Sequence, residues 1–189
     1  MDAFLTSTAV VALAEIGDKT QLLAILLAAR FARPWPIVWG ILAATLANHA
    51  LAALLGREVA ALLEGQWFGY AVAASFIAMA GWTLIPDKLD EGQRPPPRFG
   101  AFLTTLVCFF LVEMGDKTQV ATIALGARFQ SVLWVTAGTT LGMLLANVPA
   151  VWCGQALLKR VPLKAVRIGA ALLFLVLGLW LAAETAGWL

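Results

Sequence analysis

Histidine occurs once, tyrosine once and cysteine twice in 189 residues, and charged side chains make up only 13%. Each shortage excludes something. One histidine and no Cys/His cluster rule out a sulfur- or imidazole-rich metal site within one chain. Cys108 and Cys153 both lie in apolar runs and read as small packing residues, not as a structural disulfide. A net charge of +2 is too small to point to nucleic acid. The N-terminus carries no basic n-region, only Asp2, so the expectation is an uncleaved first membrane helix and not a secretory signal. Enzyme motifs are missing as well. There is no His-Glu-x-x-His of a zinc protease. An intramembrane aspartyl protease of the Gly-x-Gly-Asp type needs glycine where Glu15 and Glu113 stand, and the clustered arginine and serine of a lipid phosphatase are absent.

What is present is apolar: 61% of the residues are hydrophobic and the mean hydropathy is +0.87, which places the chain in the membrane class. Six stretches are long enough to span a bilayer, which takes about 20 residues each. They fall at 4–29, 37–55, 67–85, 99–127, 133–157 and 166–186, with separators at 30–36, 56–66, 86–98, 128–131 and 158–164. The one real linker, 87–98, is polar and proline-rich.

Inside the first and fourth stretches the same charged motif occurs twice, 98 residues apart: Glu15-Ile16-Gly17-Asp18-Lys19-Thr20-Gln21 and Glu113-Met114-Gly115-Asp116-Lys117-Thr118-Gln119. At the same offset Arg30-Phe31 matches Arg128-Phe129, Gly40 matches Gly138, Gly56 matches Gly154 and Trp82 matches Trp180. The register thus runs through three spans on each side of the linker. Three is odd, so the second half enters the membrane from the opposite face. The expected fold is an all-α membrane protein of six transmembrane helices in two inverted-topology three-helix repeats, 1–86 and 99–189. Basic residues set its orientation. The first, third and fifth loops hold Arg30, Arg33, Lys88, Arg94, Arg98, Lys159, Arg160, Lys164 and Arg167, against Arg57 and Arg128 on the other side. Linker 87–98 is therefore expected in the cytoplasm, with both termini outside.

Ionisable groups at the centre of a membrane helix cost about 2.5–3.5 kcal/mol each on insertion scales, so four bare carboxylates amount to roughly 10 kcal/mol. Such a cost, met twice at matched positions, points to use. Helical spacing puts Glu15, Asp18 and Lys19 on one face, with Gln21 beside them, and likewise Glu113, Asp116, Lys117 and Gln119. Gly17 and Gly115 permit either a break in the helix or a close helix approach. Facing motifs offer four carboxylates plus amide and hydroxyl oxygens, a set for hard cations such as magnesium, calcium or manganese. With acids ionised and lysines charged, the two motifs together carry −2, the complement of one divalent ion. Metal and protons then compete for the same oxygens, the simplest route to antiport. The plain structural alternative is an intrahelical ion pair, Glu15–Lys19 and Glu113–Lys117, which leaves Asp18 and Asp116 unexplained. For the lysines themselves, a partner role stands beside ligation. Thr20 and Thr118 either bond backbone carbonyls or join the site. Asn48, His49 and Asn147, the repeat partner of His49, either pack helices or support the site. Glu184 reads as a solvated interfacial group.

Glu-x-Gly-Asp-Lys-Thr twice, in a chain of six spans with a charged central loop, resembles the GDT family of cation transporters over essentially the whole chain. The resemblance implies manganese and calcium transport by proton-coupled exchange, with bacterial members of this size similar to manganese exporters. It implies a metal role for Glu15, Asp18, Glu113 and Asp116, both motif copies being complete. Mn2+, with Ca2+ as the alternative, is then cargo and no cofactor is expected. The expected partners are a divalent cation, protons and the lipid of an inner membrane. A divalent-cation channel is the competing class, since acidic rings also select cations in pores.

Overall fold

The computed structural model describes residues 1–63, 65–85, 100–154 and 162–189. Among these residues there are eight helices and no strand: α1 (Asp2–Glu15), α2 (Lys19–Phe31), α3 (Pro34–Leu62), α4 (Gln66–Thr83), α5 (Ala101–Glu113), α6 (Lys117–Phe129), α7 (Val132–Cys153) and α8 (Leu163–Thr185). α3, α7 and α8 are long and apolar enough to cross a membrane, and α5 is a shorter apolar helix. The linker 87–98, with Lys88, Arg94 and Arg98, lies outside the described residues, as do Lys159 and Arg160.

Two expected spans are corrected. The stretches 4–29 and 99–127 are not continuous helices but pairs, α1–α2 and α5–α6, interrupted at 16–18 and 114–116. The cause is local. Gly17 and Gly115 take φ of 81° and 77°, values that cost other residues strain. Asp18 and Asp116 follow in extended backbone as N-caps of α2 and α6. A third correction concerns 56–66, expected as a separator: α3 runs on to Leu62 and only a short connection remains. The extra turns carry Arg57 and Glu58, exposed and ion-paired at 2.5 Å, and good helix formers such as Ala60 and Ala61.

The packing is close and recurs at the 98-residue offset. A Cβ on Gly138 of α7 would stand 2.4 Å from the Phe4 carbonyl oxygen, and one on Gly40 of α3 would stand 2.8 Å from that of Phe102, the matched residue. Small residues at such crossings let backbones approach, which is how membrane helices associate without a hydrophobic drive. Phe76 of α4 packs on its own counterpart, Phe174 of α8, with ring centroids 6.3 Å apart. Contacts also fix directions. Phe4 meets Gly138 and Thr8 meets Gly142, so α1 and α7 run the same way. Gly40 meets Phe102 and Asn48 meets Phe110, so α3 and α5 do as well. Gly69 meets Thr185 and Ile77 meets Gly178, so α4 and α8 are antiparallel.

Candidate functional site

The two interruptions lie where α1, α2, α3, α5, α6 and α7 meet. Breaking a helix orphans carbonyls before the break and N–H groups within and after it, and each break deals with its N–H groups in the same way. Asp18 N–H bonds the Glu15 carbonyl at 3.0 Å, and Asp116 N–H bonds that of Glu113 at 3.1 Å. Gln21 Oε1 accepts from Gly17 N–H at 2.9 Å while its Nε2 donates to the Ala146 carbonyl at 2.8 Å. Gln119 Oε1 accepts from Gly115 N–H at 2.7 Å while its Nε2 donates to Asn48 Oδ1 at 2.8 Å. Both glutamines therefore brace the loops, and Asn48, which also donates to the Phe110 carbonyl at 3.4 Å, anchors one of them to α3.

These braces bring carboxylates together. One oxygen each from Glu15, Glu113 and Asp116 lie within 4.8 Å of one another, and all three side chains are buried. Oxygens bound to one hard cation at about 2.0–2.6 Å end up at most twice that distance apart, so this spacing suits a single ion. Asp18 stands outside the trio; its Oδ1 lies 3.5 Å from Lys117 Nζ. Three of the four expected acids thus converge.

The threonines hold the glutamates. Thr20 Oγ1 donates to Glu15 Oε2, and Thr118 Oγ1 donates to Glu113 Oε2 at 2.8 Å. Bonding to backbone carbonyls, one of the two expectations, is not what these hydroxyls do. Among the described residues, Glu15 Oε1, Glu113 Oε1 and Asp116 Oδ2 are buried and accept no hydrogen bond. Buried carboxylate oxygens left without donors are costly unless something positive reaches them.

The lysines pair across the site, not along a helix. Lys19 Nζ lies 2.9 Å from Asp116 Oδ1, and Lys117 Nζ lies near Asp18 and donates to the Ile85 carbonyl at 3.3 Å. The intrahelical pairs Glu15–Lys19 and Glu113–Lys117 are therefore replaced by crossed ones. The i to i+4 argument assumed an unbroken helix, and the glycine turn removes it.

His49 and Asn147 come to matched places. Asn147 Nδ2 donates to Glu15 Oε2 at 3.4 Å and to the Met143 carbonyl at 3.1 Å. His49 Nε2 lies 3.8 Å from Glu113 Oε2. Sequence reasoning missed Met143, Ala146 and Ile85, which act through backbone carbonyls that no side-chain pattern signals. It also missed a cleft lined by Ile16, Gly17, Asp18, Thr83, Lys117 and Arg167, which only packing assembles. The two glycine turns differ: Leu163 covers Gly17, its Cδ2 2.7 Å from where a Cβ would stand, while among the described residues nothing lies within 4 Å of the same point on Gly115. Away from the site, Glu184 is not simply solvated: it pairs with Arg128 at 2.5 Å.

Apolar helices around a buried carboxylate cluster are the make-up of a multi-pass membrane protein that handles cations. The family described as "Divalent cation/proton antiporter GDT1" matches residues 3–91 and 101–188, and the chain belongs to that family. Its metal is transported and is not a resident cofactor. A Vibrio cholerae protein named "Putative manganese exporter" is 51% identical over 180 residues, covering 95% of this chain and 90% of its own. A GDT1-like protein of Synechocystis is 29% identical over 92% of this chain and 93% of its own. GDT1-like protein 4 of Oryza sativa subsp. indica is 30% identical over 92% of this chain and 70% of its own. No solved structure matches the chain.

Proposed function

We propose that this protein exports Mn2+ from the cytoplasm in exchange for protons. It acts in the cell's inner membrane as six spans in two inverted three-helix repeats, 1–86 and 99–189, joined by a cytoplasmic linker at 87–98 with both termini outside. The observation that carries the reading is the oxygen trio of Glu15, Glu113 and Asp116, drawn from both halves of the chain. The antiparallel run of α4 against α8, and the parallel runs of α1 with α7 and α3 with α5, support the inversion. The 51% identical relative supports manganese.

Glu15, Glu113 and Asp116 hold the ion, and Asp18 joins them when Lys117 moves away. A dication and protons are alternative means of neutralising the same oxygens, so loading one unloads the other. Lys19 occupies Asp116 Oδ1 in the structure and sets a tethered charge against the incoming ion. That arrangement favours exchange over an open channel. Ca2+ is the alternative cargo, since an all-oxygen trio also accepts it.

The test is Mn2+ flux into liposomes against an imposed pH gradient, for the wild type, Asp116→Asn and Asp18→Asn. Flux that needs the gradient and is lost in the variants supports antiport. Flux indifferent to the gradient favours a channel, and absence of any divalent flux from folded protein refutes the proposal. Calcium competition ranks the two ions.

A further inference from the structure

His49 and Asn147 occupy equivalent positions on α3 and α7, 98 residues apart, and both are fully buried. Each faces a glutamate of the other half at the same atom, Oε2: Asn147 Nδ2 faces Glu15 and His49 Nε2 faces Glu113. Each of those Oε2 atoms already accepts from the threonine of its own motif. Each partner oxygen, Oε1, is buried and accepts nothing from the described residues. The two glutamates are thus held alike, by one oxygen, with the other left over.

The histidine has no competing task. Among the described residues neither Nδ1 nor Nε2 makes a hydrogen bond, although the ring is wholly buried. A buried polar group without a partner is costly, so a structural histidine here is a poor choice compared with an apolar side chain. The cluster of mutually close ligand atoms takes in Glu15, Glu113 and Asp116 but no nitrogen of His49. The ring therefore stands behind Glu113, not among the oxygens. Its 3.8 Å separation is a few tenths beyond hydrogen-bond length, and such contacts tighten when a site is loaded.

We propose that His49 and Asn147 are a matched pair of positioning residues, each donating to Oε2 of the glutamate from the opposite half so that Oε1 is fixed toward the cation. The inference rests on the cation-site reading above. It assigns one job to two different side chains, an imidazole and an amide, because what the job needs is a donor at that point. Outer donors of this kind hold metal-binding carboxylates in orientation.

The experiment uses the full chain in liposomes and measures the Mn2+ concentration dependence of transport for His49→Asn, His49→Leu, Asn147→His and Asn147→Leu. Thermal unfolding is followed beside it in detergent. The donor-keeping variants, His49→Asn and Asn147→His, should keep a KM near the wild-type value. The leucine variants should raise KM by about ten- to a hundredfold, the usual loss when an outer donor to a metal site is removed. His49→Leu should do so without lower thermal stability, since it replaces an unpartnered buried ring by an apolar side chain. Leucine variants that transport like the wild type would overturn the proposal, as would His49→Asn failing as badly as His49→Leu. Pulsed EPR of Mn2+ bound to the wild type gives a check that does not depend on any variant folding. The expected spectrum lacks the strong nitrogen coupling of a coordinated imidazole. Its presence would make His49 a ligand and overturn the positioning role. A wild type that neither binds nor moves any divalent cation would instead refute the transport reading, and this pair with it.

Discussion

Replacing Gln21 by alanine tests whether the loop braces matter more on the covered edge than on the open one. Gln21 is 2% exposed and serves two backbone groups, the Gly17 N–H and the Ala146 carbonyl, at 2.9 and 2.8 Å. Alanine leaves the Gly17 N–H without its partner, while the Ala146 carbonyl, inside α7, keeps its helix bond. An orphaned buried group costs about 1–3 kcal/mol, and the second, lost bond to Ala146 adds to it, so the loss is about 2–3 kcal/mol. Gln119 makes the matched bonds, but Gly115 is exposed and the second acceptor is the Asn48 side chain, which can turn to another donor. Gln119→Ala should therefore cost about 1 kcal/mol. The measurement is thermal unfolding in detergent for both variants, followed by Mn2+ flux in liposomes. Gln21→Ala should unfold at the lower temperature and transport less at low Mn2+, because the loop that places Glu15 and Asp18 is loosened. Equal effects, or a larger one at Gln119, would refute the argument from burial.

Other outcomes follow from the same geometry. Added Mn2+ should raise the unfolding temperature of the wild type by mass action and should not do so for Asp116→Asn, as read by a thermal-shift titration. Gly126→Val should abolish folded, monodisperse protein in size-exclusion chromatography, because a Cβ there would lie 2.5 Å from the Ala53 carbonyl oxygen. Gly81→Ala, with nothing within 4 Å among the described residues, should be neutral or up to about 1 kcal/mol more stable through helix propensity. Glu184→Gln should change stability by about 1 kcal/mol or less, since its pair with Arg128 is partly exposed.

Much of this was legible in the sequence, for physical reasons. Long apolar runs specify helices, and the 98-residue offset marked every matched contact that the structure uses, from Phe76 on Phe174 to the two glutamine braces. The motif acids were visible because charge in an apolar run is costly. Other features were hidden. The helix break was one of two options open at Gly17, and choosing between them needs backbone dihedral angles. The crossed lysine pairs follow from that break, so an argument from helical spacing had to miss them. The separation of Asp18 from the other acids goes with the position of Lys117, which donates to the Ile85 carbonyl just beyond α4. The length of α3 was misjudged because Arg57 and Glu58 end a hydrophobic run without ending a helix.

The cover over Gly17 has a consequence for the working cycle. At the 98-residue offset the counterpart of Leu163 is Gly65. Under the proposed inversion, the arrangement that closes the Gly115 edge would bring a glycine where this one brings a leucine. Leu163 is half-buried and gains part of the roughly 1.5–3 kcal/mol of a fully buried leucine, whereas a glycine has no side chain to bury. Two halves that share one motif are thus unequal in what covers its glycine. An exchange of roles between the halves would therefore not be isoenergetic.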